Sequence, residues 1–374
     1  MCVINGSNIS QRFGNMKSFF GRFVAAVVVG LGVCAGVSAE AATFTWRTGA
    51  GTALWGTATN WVGGTVPTPG LSTFLEYKTN TAASVTTNNN LSNPFELFQL
   101  FINGNTRYTF TGSPMQFGTG GSIVNTATVV QTFNSTINAG GPTMTIETSK
   151  LLNLNGGVAG SSVITVKGGG TVALDGNAND ALFIVDGNTT LNIKNNRTIS
   201  ELIVSSGILQ LSGDDSGVAN VSNGVTFTAG STVNMDVAGL TPGSSGFDQL
   251  ISDTVSFRGA MSLDMTGLGD LGGVGDRGTS FKLFDSNSYS GNFTSITASG
   301  GLYTGLNPWT PGNNGSLASQ TFGSNGNYFY FDQTNGTLAV VPEPSTIVFA
   351  ALGVTISGVH CINKRRRNKS AIAA

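Results

Sequence analysis

The chain has 374 residues, a formal net charge of −1, 53 glycines and only 10% charged residues, where an ordinary soluble domain carries about 25%. Its cysteines, Cys2, Cys34 and Cys361, and its one histidine, His360, all lie in the two end segments, so residues 42–341 cannot form a disulfide, a Ser-His-Asp or Cys-His catalytic set, or a His- or Cys-ligated zinc site. The same stretch holds 10 basic against 17 acidic residues, a net charge of −7, which argues against nucleic acid as a partner.

Residues 1–41 read as a secretory signal peptide. Arg12, Lys17 and Arg22 form its basic part and Phe23 to Val37 its apolar part. Val37-Ser38-Ala39 and Ala39-Glu40-Ala41 both offer small-x-small cleavage sites for signal peptidase, after Ala39 or Ala41. Met16-Lys17-Ser18 would make a more usual start than Met1. Val33 precedes Cys34 where a lipidated cysteine wants a small residue, so lipidation is not expected.

Residues 42–140 form a tryptophan-rich β region. Phe44-Thr45-Trp46, Trp55 and Asn60-Trp61-Val62-Gly63-Gly64, followed by Pro67, carry its pattern. The segment resembles the opening of autotransporter-type and planctomycete surface β-helix proteins, which implies that the rings cap the open end of a β-solenoid. Aromatic faces also stack on sugar rings, which makes Trp46, Trp55, Trp61 and, far downstream, Trp309 candidates for a ligand platform.

Residues 141–240 carry short alternating runs such as Val163-Ile164-Thr165-Val166 and Thr171-Val172-Ala173-Leu174. Period-two alternation of β-branched residues is strand chemistry, and the Gly, Asn and Asp between runs are turn chemistry. Gly170, Gly187, Gly207 and Gly230 each open a similar run, at spacings of 17, 20 and 23 residues. Short strands at about this period suit the rungs of a parallel β-solenoid, with an antiparallel sandwich as the alternative. The fold class expected is therefore all-β, with a parallel β-solenoid body.

Residues 241–341 continue in the same style. Phe247-Asp248-Gln249-Leu250 and Ser290-Gly291-Asn292-Phe293 resemble the last rungs of the same surface proteins. Tyr328 to Asp332 and Thr337 to Val340 predict a closing hairpin.

Few constellations suggest chemistry. Asp175, Asn177, Asn179 and Asp186 echo the spacing of a calcium loop, but Asp180 stands where such a loop needs glycine and neither flank reads as a helix. No metal or other cofactor is expected. Nothing in the sequence brings two carboxylates together for glycoside hydrolysis, and the chain reads as a non-enzyme.

The last stretch is Val341-Pro342-Glu343-Pro344-Ser345, then an uncharged apolar run, then Lys364, Arg365, Arg366, Arg367 and Lys369. Prolines suit the first turn of a helix. Residues 345–362 as a helix would span roughly 27 Å, close to the ~30 Å hydrocarbon core, with the basic cluster as cytoplasmic anchor. In this order, the three parts over 342–369 resemble the PEP-CTERM sorting tail of bacterial exported proteins, also called the ice-binding-protein C-terminal domain. The resemblance implies recognition by an exosortase-type enzyme at Pro342, Glu343 and Pro344, transient or permanent inner-membrane anchoring, and a body in the periplasm, at the cell surface or outside the cell. That alternative name carries no argument for ice binding.

The function expected is that of an exported, sorted surface or extracellular-matrix protein with a structural or adhesive role, with an extracellular polysaccharide as a further partner. A carbohydrate-binding module is the alternative. Ice binding and polysaccharide cleavage are further alternatives; the first needs a flat array of Thr-x-Thr, and only pairs such as Thr43/Thr45 and Thr109/Thr111 are visible.

Overall fold

A computed structural model describes residues 41–47, 53–194, 196–213, 216–311 and 316–343. The predicted signal peptide up to residue 40, Pro344, the predicted membrane helix and the basic cluster lie outside them. Among the described residues the protein is all-β, with no α-helix and three short 3-10 turns. No helix there is long and apolar enough to cross a membrane.

The strands form two long parallel sheets, of 13 and 10 strands, and one antiparallel sheet of 5. The chain visits the two parallel sheets in turn. Thr171–Leu174 lies in sheet 2, Ala178–Val185 in sheet 1, Thr190–Ile193 in sheet 2 and Arg197–Val204 in sheet 1. Each pass pairs with the one before it, an arrangement consistent with a β-solenoid. Sheet 1 runs unbroken from Ala42–Thr45 to Phe284–Gly291. The expected boundaries at 140/141 and 240/241 therefore fall inside continuous sheets.

The alternation seen in the sequence is what stacks the passes. In sheet 1, Ile123, Ile146, Val166, Val185, Val204 and Phe227 are register partners in succession, and all are fully buried. In sheet 2, Phe110, Phe133, Leu154, Leu174, Ile193 and Leu211 do the same. Burying each such side chain is worth about 1.5–3 kcal/mol, so every pass is stabilised mainly by its neighbours. Several sheet 1 strands also carry an irregularity in pairing, as between Val221 and Gly224, where Ser222 and Asn223 are both exposed. Bulges of this kind bend a strand locally.

The repeat is real, but its register differs from the glycine alignment. Thr171 lies opposite Thr190, Thr190 opposite Ile208, and Ile208 opposite Thr232. The residue before each strand is thus Gly170, Thr189, Gly207 and Ser231; Gly187 and Gly230 do not belong to the series. Gly187 and Asn188 instead form a turn with φ of 62° and 57°. Register follows the inward residues, Val172 over Leu191 over Leu209, because a one-residue slip would turn every apolar side chain outward.

Both ends are closed by aromatic rings. At the start, Trp61 meets Trp46, Trp55 and Tyr77 edge-on at centroid distances of 5.1, 6.2 and 6.2 Å. At the other end, Phe293 lies 4.5 Å from Phe257 and 6.0 Å from Phe331. Phe331 belongs to the antiparallel sheet, in which Asn327–Asp332 pairs with Thr337–Pro342 as the predicted hairpin.

Candidate functional site

The tryptophans are not a ligand platform. Trp46, Trp55, Trp61 and Trp309 are exposed by only 3, 1, 0 and 7%. The first three cover the open end of the apolar interior. Trp61 donates its Nε1–H to the Trp55 carbonyl at 2.8 Å, and Trp55 donates its own to Thr87 Oγ1 at 2.5 Å. Of the two readings of these rings, the geometry is that of a cap, since rings so enclosed have no face left for a sugar.

The calcium-like spacing does not form a loop either. Asn179 lies in the strand Ala178–Val185, between Asp175 and Asn177 at one end and Asp186 at the other. Asp175 pairs with Arg197 at 3.1 Å. Asn177 Oδ1 accepts the Thr198 N–H, and Asp186 accepts from the Ser206 hydroxyl and the Gly187 N–H. The Ser206 bond, then the Gly187 bond, hold the Asp186 carboxyl below its ordinary range. Extended strand separates the ligands that a twelve-residue loop would have to bring together.

Of the sorting motif, Pro342 ends the last strand and Glu343 follows it, its N–H bonded to the Gly326 carbonyl at 2.8 Å. Of the two cleavage candidates, Ala39 lies outside the described residues. Ala41 is exposed and immediately precedes the first strand.

What the fold does bring together is a polar cleft of about 500 Å³ on the outer side of sheet 2. Its floor is two rows of register partners, Gln210, Asn234 and Ser262 beside Asp236, Asp264 and Ser299. Gly213, Ser216, Ala238 and Ser245 line it from the neighbouring connections. Here the passes lengthen, from the step Thr190 to Ile208 to the steps Ile208 to Thr232 and Thr232 to Ala260. The added residues form the connections that wall the cleft.

Asp248 fixes that wall. It is fully buried, accepts the Gly217 N–H at 2.6 Å and the Asp236 N–H at 2.8 Å, and donates its own N–H to the Asp236 carbonyl at 2.7 Å. Ser216 adds a bond from its hydroxyl to the Gly246 carbonyl at 3.0 Å. Burial pushes the Asp248 carboxyl up to about 8, although both backbone donors pull it down and the Asp236 charge adds a smaller upward push. Among the described residues no three His, Cys, Asp or Glu side chains group to hold a metal.

Sequence reasoning missed this cleft, though a signal was there. Val233-Asn234-Met235-Asp236-Val237 and Met261-Ser262-Leu263-Asp264-Met265 share the pattern apolar, polar, apolar, Asp, apolar. Aligned in phase, they put both aspartates on one outward row. Asp248 could not have been found so, because its role depends on a backbone N–H in each of two other segments.

Comparison with known proteins gave no match: no family model, no curated protein and no solved structure resembles the chain.

Proposed function

We propose that the protein is an exported, non-catalytic scaffold or adhesin of the cell surface or extracellular matrix, whose body is a parallel β-solenoid delivered by a signal peptide and sorted through a PEP-CTERM tail. The observation that carries this reading is the unbroken stacking of the two parallel sheets, closed at both ends by aromatic rings. A body of this kind gains length by adding passes and presents long outer faces, which suits reach and display. Two further features support it. Among the described residues the first strand starts directly after the candidate cleavage residue Ala41, and the last strand ends at Pro342, the first residue of the candidate sorting motif. Signal peptidase and an exosortase-type enzyme are the processing partners of this reading.

The test is the intact mass of the mature protein from its native host, with cell fractionation. A product that starts at Glu40 or Ala42 and ends near Pro342–Pro344, released or bound to matrix, supports the proposal. A product in the inner membrane that retains Arg365–Lys369 removes the sorting step. An unprocessed cytoplasmic product removes export itself.

The second reading, a carbohydrate-binding module, is favoured by the cleft on sheet 2 and not by the tryptophans.

A further inference from the structure

The first two residues of the candidate sorting motif are tied into the antiparallel sheet. Val341 and Pro342 are the register partners of Tyr328 and Asn327, and the Glu343 N–H donates to the Gly326 carbonyl at 2.8 Å. One step earlier the same strand is held on its other side. Val340 accepts from the Gly278 N–H at 2.9 Å and donates to the Thr279 carbonyl at 2.8 Å. The strand Thr337–Pro342 therefore runs between two partners, and its pairing with one of them extends to Glu343.

A side-chain clamp fixes that partner. Asn327 is fully buried. Its Nδ2 donates to the Leu271 and Gly273 carbonyls, both at 2.9 Å, and its Oδ1 accepts from Arg277 Nε at 3.1 Å. Arg277 Nη2 donates to the Asn325 carbonyl at 3.0 Å, and Asn325 Nδ2 donates to the Gly272 carbonyl at 2.8 Å. These bonds tie residues 271–277 to residues 325–327, the stretch that faces Pro342 and Glu343. Both amide hydrogens of Asn327 are used, and the guanidinium gives its two bonds the added strength of a charged donor.

A protease needs backbone that can leave its own hydrogen-bond partners, so a paired bond is cut through local opening. The peptide bonds after Val341 and after Pro342 lie in paired backbone beside the clamp. We propose that the Arg277–Asn327 clamp sets the upstream limit of tail processing: while the body is folded, the chain is cut no earlier than the bond after Glu343. The mature body then keeps its last strand whole. This inference deepens the sorting reading and rests on it for the identity of the processing enzyme alone, because the clamp itself is measured with an unrelated protease.

The experiment treats the full-length protein, in detergent, with a proline-specific endoprotease that accepts intact proteins and can cut after Pro342. Intact mass gives the initial rate of that cut, and a synthetic peptide of residues 336–347 gives the rate without the fold. The folded protein should be cut after Pro342 at least about a hundredfold more slowly than the peptide, since cleavage of a paired bond follows the population of the open form. Arg277→Ala should raise the rate about tenfold, the scale of one charged hydrogen bond, and quicken hydrogen exchange at the Glu343 amide. Arg258→Ala, at an exposed arginine outside the clamp, should leave both unchanged. Arg277→Lys keeps the charge without the forked reach and should fall between; it replaces Arg277→Ala if that protein loses its far-ultraviolet circular dichroism spectrum. In the native host the mature C-terminus should be Glu343 or a later residue. A processed product ending at Val341 or Pro342 overturns the clamp and leaves sorting standing. A product that keeps the whole tail removes the sorting reading and leaves the endoprotease rates to decide the clamp. The proposal is also overturned if the folded protein is cut after Pro342 as fast as the peptide, or if Arg277→Ala and Arg258→Ala behave alike.

Discussion

Asp248 and Asp236 are locked together by two backbone-anchored hydrogen bonds, Asp236 N–H to the Asp248 carboxylate at 2.8 Å and Asp248 N–H to the Asp236 carbonyl at 2.7 Å. The pair joins a sheet 2 strand to the connection that walls the cleft. It also places a titratable group where water does not reach.

That burial predicts a pH dependence. The Asp248 carboxyl titrates at about 8 in the folded protein, whereas an unfolded aspartate titrates near 3.9. Between these values the folded state holds a proton that the unfolded state has released. Stability should therefore fall as pH rises from about 4 to about 8, by at most about 1.4 kcal/mol per pH unit from this group. Below pH 4 its contribution is level. Urea unfolding at pH 5 and pH 8 checks this: Asp248→Asn should flatten the difference, and an equal pH dependence in both proteins would refute the assignment.

The aromatic cap predicts a local loss. Trp61 is fully buried and touches Trp46, Trp55 and Tyr77. Trp61→Ala should cost about 3–5 kcal/mol, as for other large-to-small changes in a core. Trp55→Phe keeps most of the ring and loses the bond to Thr87, at about 1 kcal/mol. Because each pass leans on the next, amide hydrogen exchange in the Trp61→Ala protein should quicken first in the strands Ala42–Thr45 and Thr73–Tyr77. Uniform quickening along the whole chain would mean that the rings do not act as an end cap.

Much of this architecture was legible in local pattern. The runs Val163–Val166 and Thr171–Leu174 became strands because their alternation matches the pleat, and the hairpin after Tyr328 formed where Asn335-Gly336 permits the turn. What could not be read was register. Gly187 looked equivalent to Gly170, yet the turn takes Gly187 and Asn188 and leaves Thr189 in the equivalent place. The tryptophans were ambiguous for a related reason: a ring that caps and a ring that binds are the same residue, and only burial separates them. The cleft was hidden because it depends on which aspartates share a row.

Calcium should leave the protein unchanged. Asp175 is engaged by Arg197 and Asp186 by Ser206 and Gly187, with strand between them. The thermal midpoint with excess calcium should equal that with EDTA. Arg197→Ala should cost under about 1 kcal/mol, since the pair is solvent-exposed. A calcium-dependent rise of several degrees would show that these side chains converge after all.

Glycine substitutions separate backbone strain from stacking. Gly63 and Gly157 both have positive φ, +84° and +74°, where a side chain costs about 1–2 kcal/mol. A Cβ at Gly63 meets nothing within 4 Å, whereas one at Gly157 would stand 2.5 Å from the Asn177 carbonyl oxygen of the next pass. Val158 N–H donates to that same carbonyl at 3.0 Å, so the new methyl group would push two hydrogen-bonded passes apart. Gly63→Ala should therefore cost about 1–2 kcal/mol and Gly157→Ala about 1–3 kcal/mol more, the usual range for overpacking. Chemical denaturation of the two variants decides the matter. Equal losses would mean that backbone conformation alone sets the cost, and that the passes are not in the close contact on which the stability of the stack depends.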